Sequence, residues 1–449
     1  MAELALDVRL DEALQPVGYL VRDENGGLSF GYSVVYANMP GAKPLSMSLP
    51  VRQKPYSEVL TRAFFGNLLQ ERDGALDVVM AREGIARDDI AGLLLHLGRD
   101  CPGAISVLPH GAPPVKVPGV YATDYEPFSD AQMATFVRSL YERQRLPDGA
   151  ADPSPLAGVQ SKVAVTLLPD GRFADPRPGS GAPTTHIIKV PERGHERDPG
   201  YEATAMALSS AIGVDTSKVE VRRFGGIDAL VITRFDRDHD EQGRVVRVHQ
   251  EDFAQALGLP RELKYERNGT ANRRFDAVSI GRVLNETRQP ALSRQTMIRS
   301  VLFDLMIGNT DAHAKNHALL YRDRRPVLAP RYDILPTRLD RSLTDELPFR
   351  IGEATTLEAI KAEDVAKFLD ALGIMSRAAQ RRTPKRLAEP IIQRLVGELA
   401  GLDQRHGRVW GDLIAHNVRR LAPVLGIEVP SDVDRDAFVL GRTGGWSMS

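Results

Sequence analysis

Asp311 and Asn316 lie in the stretch MIGNTDAHAKNHALL, which is polar between two apolar flanks. Their spacing, D-x-x-x-x-N, is the one by which phosphoryl-transfer enzymes place an aspartate base near a metal-binding amide. The aspartate would receive the proton of an attacking hydroxyl, and the amide oxygen would hold Mg²⁺ without adding negative charge beside the phosphates. Such a spacing arises by chance about once per few hundred residues. The prediction therefore depends on the surrounding sequence.

Asp333 is the second acidic residue that this chemistry needs. The runs HALLY and PVLAPRYD, joined by the polar turn RDRR, predict a β-hairpin that ends at this aspartate. In kinases a hairpin leads from the catalytic loop to the aspartate that chelates Mg²⁺, although no Phe-Gly follows it here. We therefore predict Asp311 as the base and Asn316 and Asp333 as metal ligands. Lys315 either neutralises the transferring phosphoryl group or is a solvated loop lysine.

Three upstream features could bind the phosphates of ATP. Lys189 ends the apolar strand TTHIIKVP, where a lysine is disfavoured unless it has a role. Glu202 opens the next helix and could pair with Lys189. The segment AGVQSKVAV precedes a strand, so its backbone N–H groups could meet phosphates, although it matches no standard phosphate loop. The residues of this loop are Gly158, Val159, Gln160, Ser161 and Lys162.

The elements that must position these residues lie in three stretches of the chain, of which the first two contain strands and the third is helical. Residues 1–110 mix strand-like runs such as VGYLVRD and LSFGYSVVY with helical stretches, which predicts a small α+β module. In residues 111–248 the runs KVAVTLLP, THIIKVP, VEVRRFG and DALVITRFD predict an antiparallel sheet that carries one helix, YEATAMALSSAIG. Residues 249–449 are almost entirely helical in periodicity. We therefore predict an α+β chain with a two-lobed, protein-kinase-like fold.

Composition excludes several other classes of protein. Among 449 residues, 58 Lys and Arg nearly cancel 59 Asp and Glu, so the chain lacks the basic character of a non-specific nucleic-acid binder. The single cysteine, Cys101, rules out an internal disulfide and is expected to be a packed side chain. The sequence shows neither a signal peptide at its start nor an apolar run long enough for a membrane span. We expect a cytoplasmic protein without a membrane partner.

The quoted segments resemble the HipA-like serine/threonine kinases of bacterial toxin–antitoxin modules. The similar segments are AGVQSKVAV, TTHIIKVP, ALVITRFDRD, HQEDFAQALGLPRELKYE, IGNTDAHAKNHALL and APRYDIL, with FFGNLLQER and LLHLGRDCPGAISVLP in the N-terminal module. The resemblance implies a kinase that uses ATP and Mg²⁺, with the roles given above for Asp311, Asn316, Asp333 and Lys189. It also implies that Thr233 and Phe235 lie in the hinge that meets adenine. Asp236, the third residue expected at the nucleotide, would follow on the path into the helical lobe.

The same resemblance implies partners and one mode of regulation. Family members are similar in phosphorylating aminoacyl-tRNA synthetases, such as glutamyl-tRNA synthetase, which stops translation and promotes persistence. A small DNA-binding antitoxin of the HipB type neutralises them, so contact with DNA would be weak or through the antitoxin. Several members carry a glutamate where this chain has Ser161, and a self-phosphorylated serine where it has Pro155. Ser154 is the nearest substitute.

Other functions are compatible with parts of this pattern. The stretch DAHAKN also resembles the catalytic loops of aminoglycoside and lipid kinases, so a small-molecule kinase is one alternative. An inactive antitoxin-binding corepressor is another, although the lysine, the base and both metal ligands are present. A zinc site at His313 and His317 would need a helical segment and further ligands, and the chain contains no HExxH motif.

Overall fold

The computed structural model describes residues 3–69, 73–147, 161–435, 438–440 and 446–448. The chain divides into two compact units, and neither is one continuous segment. Unit 1 contains Met1–Pro199, Ser217–Arg261 and Ala318–Pro326. Unit 2 contains Gly200–Thr216, Glu262–His317 and Val327–Ser449.

The strands and helices follow the chain in mixed order. The strands are β1 Leu4–Leu10, β2 Gly18–Arg22, β3 Leu28–Tyr32, β4 Ile105–Pro109, β5 Tyr125–Pro127, β6 Lys162–Leu167, β7 Phe173–Pro176, β8 His186–Lys189, β9 Val219–Phe224, β10 Ile227–Thr233, β11 Arg237–His239, β12 Val245–Arg247, β13 Gln250–Asp252, β14 Ala318–Leu320, β15 Val327–Leu328, β16 Phe438–Leu440 and β17 Trp446–Met448. The α-helices are α1 Val34–Ala37, α2 Glu58–Gly66, α3 Asp73–Glu83, α4 Ile90–Leu97, α5 Asp130–Arg143, α6 Asp198–Ala211, α7 Phe253–Ala256, α8 Ala277–Glu286, α9 Pro290–Ile307, α10 Ala362–Ala371, α11 Arg377–His406 and α12 Arg408–Val424. Among the described helices, none combines the length and the apolar character that crossing a membrane requires.

Unit 1 begins with an antiparallel sheet of order β3-β2-β1-β4. Leu6, Val8 and Leu10, which share one face of β1, lie in a hydrophobic core. The aromatic side chains of α2 and the leucines of α4 belong to the same core. The predicted α+β character of this region is confirmed. The predicted strand LSFGYSVVY was wrong in its second half, because Ser33 caps α1 by accepting a hydrogen bond from the Tyr36 N–H.

A second sheet in unit 1 has the order β5-β7-β6-β8-β10-β9, and its paired strands run antiparallel. The predicted strands KVAVTLLP, THIIKVP, VEVRRFG and DALVITRFD are confirmed as β6, β8, β9 and β10. The helix that packs into the core of this sheet is α5, through Met133, Val137 and Leu140. The predicted place of α6 on this sheet stays a prediction, since residues 200–211 of that helix belong to unit 2.

Unit 2 is built from helices, as its periodicity predicts. The largest fully buried side chain of the described residues is Trp410 on α12, whose indole N–H donates to the Ile307 carbonyl at 3.2 Å. Tyr201 of α6 stacks on His406 with 4.9 Å between ring centroids, and the Thr204 hydroxyl lies 2.8 Å from His406 Nε2. These contacts explain why most of α6 belongs to unit 2 rather than to the sheet that precedes it in sequence.

A cluster of buried charges holds the first sheet of unit 1 to later parts of the chain. The Arg247 guanidinium donates to Asp11 at 2.7 Å and to Asp100 at 3.1 Å, and Lys116 lies 3.0 Å from Asp100. Burial would raise the pKa of Asp100, but these cations outweigh it and hold the pKa below its ordinary value. The neighbouring Cys101 is buried, and burial raises its pKa to about 12, which confirms a packed and unreactive thiol.

Glu251 in β13 is the second buried charged group of unit 1 that joins distant segments. Its Oε1 accepts hydrogen bonds from the Met47 N–H at 3.0 Å and from the Tyr321 hydroxyl. Its Oε2 is buried and has no partner. Burial therefore raises the pKa of Glu251 from 4.5 to about 7, although donors from Ser46, Tyr321 and Met47 lower it. The negative Asp252 beside it acts in the same direction as burial.

Glu251→Gln should change how the stability of unit 1 depends on pH. Because the folded state binds this proton more tightly than the unfolded state, the wild type should lose stability as pH rises from about 4.5 to about 7, by up to roughly 3 kcal/mol. Glutamine has the same shape and does not titrate, so the variant should lack that loss. Thermal unfolding from pH 5 to 8 tests this, with the exposed Glu241→Gln as control. Parallel curves for the wild type and Glu251→Gln would contradict the prediction.

Candidate active site

The polar stretch 309–316 begins where α9 ends in unit 2. Gly308 closes the helix in a left-handed conformation, with φ 83°, and its N–H donates to the Asp304 carbonyl. A Cβ at this position would lie 2.7 Å from Leu413 Cδ2, so a side chain fits poorly here. The conformation of Gly308 therefore ends α9 at this residue and sets the direction in which the loop leaves the helix.

A buried ion pair organises the start of this loop. Asp304 accepts two hydrogen bonds from Arg331 Nη2, at 3.0 Å to each oxygen, and a third at 3.0 Å from the Asn309 side-chain amide. The Asn309 amide oxygen in turn accepts from the Asp311 N–H at 3.0 Å. Burial raises the pKa of Asp304, while Arg331 and Asn309 lower it. A chain of hydrogen bonds thus runs from the ion pair to the backbone of Asp311.

Asn316 closes the other end of the loop. Its side-chain N–H₂ donates to the Asp311 backbone carbonyl at 2.7 Å. Since a carbonyl can only accept, this contact fixes which end of the amide is nitrogen and turns the amide oxygen to the other side. The loop is also tied at its middle, where the Ala314 N–H donates to the Lys264 carbonyl at 3.0 Å. The residues predicted as base and metal ligand are therefore brought together by a direct bond.

Asp333 is held close to this loop. Its φ is 57°, a left-handed conformation that aspartate tolerates better than most residues. The preceding Tyr332 donates its hydroxyl to the Lys315 carbonyl at 2.6 Å, so the neighbours of Asp333 and Asn316 are bonded to each other. The two strands of the predicted hairpin are present as β14 and β15. The structure therefore brings together three of the predicted residues, Asp311, Asn316 and Asp333.

The two histidines of the loop are buried and neutral. Burial, and then the nearby Lys264, push the pKa of His313 well below its ordinary value, while Asp333 acts in the opposite direction. Burial lowers the pKa of His317 to about 3, and its Nε2 lies 3.2 Å from the Ala312 carbonyl. That nitrogen therefore donates to the backbone and is not available to a metal. Among the described residues no group of three or more His, Cys, Asp and Glu could hold a metal ion.

Three residues of this site were missed by sequence reasoning. The Tyr265 hydroxyl donates to Oδ1 of Asp311, and Asp304 and Arg331 form the ion pair. Signals for two of them were visible in the sequence. Asp304 interrupts the apolar run VLFDLMIG, where an unpaired charge would be costly, and Arg331 lies close to Asp333 in APRYD. Tyr265 lies in HQEDFAQALGLPRELKYE, one of the segments that resemble the family, but no periodicity or spacing singled the residue out.

Unit 1 carries the predicted phosphate-binding lysines. Lys189 at the end of β8 is directly opposite Lys162 of β6, in an antiparallel register that also pairs Val163 with Ile188. Side chains of directly opposed residues lie on the same face of a sheet, and two like charges in such a pair repel each other. Lys189 is buried, with 9% of its surface exposed. This face of the sheet therefore concentrates positive charge at one place.

The predicted hinge and phosphate-loop residues of unit 1 differ in burial and in their hydrogen bonds. The Thr233 hydroxyl lies 3.2 Å from His186 Nε2, and Phe235 is half-buried in the loop after β10. Asp236 is buried, and both of its oxygens accept hydrogen bonds from Arg234, at 3.0 and 2.9 Å. The Ser161 carbonyl accepts from the Val190 N–H at 2.9 Å. Gly158, Val159, Gln160 and Ser154 lie outside the described residues.

Glu202 lies within α6 in unit 2 and is buried, with 2% of its surface exposed. Lys189 belongs to unit 1. The predicted pairing of these two side chains stays a prediction. The predicted contact of Lys315 with the transferring phosphoryl group also stays a prediction, although Lys315 is buried rather than solvated.

Asp304→Ala should destabilise the loop rather than the whole chain. The substitution leaves the Arg331 guanidinium buried without its carboxylate, which typically costs about 3–5 kcal/mol. Hydrogen–deuterium exchange should therefore become faster over residues 299–316 and 327–340. Replacing both partners, by Asp304→Leu with Arg331→Met, should restore part of the protection, because no charge remains buried. Unchanged exchange in the alanine variant would show that the ion pair does not hold the loop.

Comparisons with known proteins agree with this geometry. A family model described as the HipA N-terminal domain matches residues 6–108, and one described as the HipA-like C-terminal domain matches residues 154–401. Y4mE of Sinorhizobium fredii, which carries the name of a kinase, is 36% identical over 366 residues that cover 82% of this chain and 86% of the relative. The serine/threonine-protein kinase toxin HipA of Shewanella oneidensis is 30% identical over 371 residues, which cover 78% of this chain and 81% of the relative.

A solved structure of the Shewanella oneidensis toxin–antitoxin system, containing HipA, HipB and operator DNA, is similar over nearly the whole chain. The TM-score is 0.74 at 25% identity, with 96% of this chain and 100% of that chain covered. The predicted α+β, two-lobed, kinase-like fold is thereby confirmed. On these matches the chain belongs to the HipA-like serine/threonine kinases.

Proposed function

We propose that this kinase transfers the γ-phosphoryl group of ATP, with Mg²⁺, to a serine or threonine hydroxyl of a protein, and that it acts as the toxin of a toxin–antitoxin pair. The observation that carries the proposed site is the bond from the Asn316 side chain to the Asp311 carbonyl. One hydrogen bond there sets the position of the base and the direction of the amide oxygen together.

Asp311 is the proposed base. The bond between the acceptor oxygen and the γ-phosphorus forms, the bond from that phosphorus to the bridging oxygen breaks, and ADP leaves with the electron pair. The proton of the acceptor hydroxyl goes to the Asp311 carboxylate. The loop bonds of Asn309 and Asn316 support this role because they fix the backbone of Asp311 on both sides of its Cα.

Asn316 and Asp333 are the proposed metal ligands. The donor set, one amide oxygen and one carboxylate, suits Mg²⁺, which prefers oxygen ligands and takes the rest of its coordination from phosphates and water. When bound, the metal would neutralise charge on the β- and γ-phosphates. The Tyr332 bond to the Lys315 carbonyl supports the assignment, because it holds the residues next to both ligands together.

Lys189 and Lys162 are the proposed contacts to the ATP phosphates in unit 1. Their direct opposition across β8 and β6 brings two cationic side chains to one position of the sheet, which suits an anionic ligand such as a polyphosphate. We also propose that Gly158, Val159, Gln160 and Ser161 cover the phosphates through their backbone. Thr233 and Phe235 would meet the adenine, and Glu202 would pair with Lys189.

The acceptor and the partner are inferred from the relatives. The Shewanella oneidensis relative is named a serine/threonine-protein kinase toxin, which favours a protein over a small molecule as the acceptor. We propose an aminoacyl-tRNA synthetase, such as glutamyl-tRNA synthetase, whose phosphorylation would stop translation in the cytoplasm. The similar structure contains HipB and operator DNA, so we propose that a HipB-like antitoxin binds this chain and that DNA is reached through it.

Asp311→Asn should reduce phosphoryl transfer by about 10²–10⁴-fold, because a positioned base is lost, while ATP affinity is retained. The measurement is a phosphoproteome comparison after inducing the wild type or the variant, followed by transfer from labelled ATP with purified proteins. The exposed Asp370→Asn on α10 is the matched control.

Three outcomes of that comparison separate the proposals. A tRNA synthetase peptide phosphorylated only by the wild type would support both the base and the substrate. Another phosphorylated protein would keep the kinase and replace the substrate. Label on a metabolite and on no protein would favour the small-molecule kinase. Full transfer by Asp311→Asn would remove Asp311 as the base.

Asp333→Asn and Asn316→Ala should each weaken the effect of Mg²⁺ on ATP binding. In the wild type, calorimetry should give tighter ATP binding with Mg²⁺ than without it. In each variant, the factor by which Mg²⁺ tightens ATP binding should be smaller by about tenfold or more. Even residues that only support metal ligands commonly contribute that much to metal affinity. ATP affinity without Mg²⁺ should be similar in all three proteins. An equal effect of Mg²⁺ on the wild type and both variants would exclude these residues as ligands.

A further inference from the structure

Tyr265 touches the proposed base directly, and the proposed reaction does not use it. Its hydroxyl donates a hydrogen bond to Oδ1 of Asp311, within unit 2. Bonds to the Asp311 backbone come from Asn316 and Asn309, as described above, but they leave rotation of the carboxylate about its side-chain bonds unrestricted. The Tyr265 hydroxyl is a contact that restricts this rotation.

The ring of Tyr265 is itself held on two sides. The Arg267 guanidinium lies 3.9 Å from the ring centroid, and the His313 ring meets it edge-on, with centroids 5.0 Å apart and an interplanar angle of 79°. Arg267 is kept in place by Glu346, at 3.7 Å.

The backbone around Tyr265 is fixed as well. The Lys264 carbonyl accepts from the Ala314 N–H at 3.0 Å, and the Glu266 N–H donates to the Pro348 carbonyl at 2.9 Å. The residues before and after Tyr265 are therefore bonded to different parts of unit 2. A tyrosine that merely occupied the place of the acceptor hydroxyl would have to move away for each turnover, and these bonds oppose such movement.

We propose that Tyr265 is a positioning residue of this kinase, whose hydroxyl holds the carboxylate of Asp311 in the orientation in which it receives the proton. This inference rests on the proposed role of Asp311 as the base. Small errors in the placement of a reacting group lower the rate strongly, so loss of the hydroxyl should slow the reaction without changing nucleotide binding.

A double-mutant cycle of Tyr265→Phe and Asp311→Asn tests the proposal in the full chain. The assay is transfer of labelled phosphate from ATP to the proteins of a cell extract at saturating ATP. Tyr265→Phe alone should slow transfer by about tenfold or more, with unchanged KM for ATP and unchanged ATP affinity by calorimetry. In the Asp311→Asn background it should have no further effect, because the group through which it acts is gone.

Tyr332→Phe is the matched control, since it also removes one tyrosine hydroxyl from the loop, but from the Lys315 carbonyl. Tyr332→Phe should slow phosphate transfer by the same factor in the wild type and in Asp311→Asn. The thermal midpoints of Tyr265→Phe and Tyr332→Phe should be similar. A Tyr265→Phe effect of equal size with and without Asp311 would overturn the proposal and assign the hydroxyl a general structural role. A faster Tyr265→Phe enzyme would also overturn it, because the hydroxyl would then be blocking the acceptor.

A failure of the proposed function gives a different result from a failure of this inference. If Asp311→Asn transferred phosphate as fast as the wild type, Asp311 would not be the base, whatever Tyr265→Phe did. If Asp311→Asn were slow and the effects of the two substitutions multiplied, the base would stand and only the role of Tyr265 would fall.

Discussion

The buried ion pair between Asp304 and Arg331 is the interaction on which the catalytic half of unit 2 depends. Asp304 belongs to α9, which precedes the loop, and Arg331 belongs to the segment that leads to Asp333. The Arg331 N–H also donates to the Asp215 carbonyl at 2.8 Å, so the segment after α6 meets the same point. Neither charge can be buried without the other, because the desolvation of a lone charge is not offset. Three segments far apart in sequence are therefore held in one arrangement.

Three polar side chains in and next to this loop bond its own backbone. Asn309 and Asn316 each use a side-chain amide to bond the backbone of Asp311, and His317 bonds the Ala312 carbonyl. In a buried site such bonds are stronger than in water, and leaving one unmade is costly. This explains why so polar a sequence folds between two apolar flanks. A loop organised in this way needs little rearrangement at the moment of reaction, which favours catalysis by a fixed base.

The sequence was sufficient to predict local features. It was insufficient to predict which residues far apart in the chain contact each other. The spacing of Asp311 and Asn316, the strand that ends at Lys189 and the periodicity of the helices are local, and the elements formed as predicted. Adjacency in sequence suggested that α6 packs on the sheet, and the contacts of its Tyr201 with residues of α11 and α12 were not foreseen. Tyr265 was missed for the same reason. Its contact with Asp311 depends on the path of the chain between them, which no local pattern records.

The segment after β10 shows how one short stretch serves two purposes. Arg234 and Asp236 are buried, and Asp236 Oδ2 also accepts from the Gly103 N–H at 2.8 Å, next to the first sheet of unit 1. Thr233 and Phe235, which alternate with them, are only half-buried. Since both oxygens of Asp236 are already engaged by Arg234, a structural role fits this residue better than contact with adenine. Arg234 and Asp236 therefore help to hold the N-terminal module, so the proposed contact with adenine falls to Thr233 and Phe235.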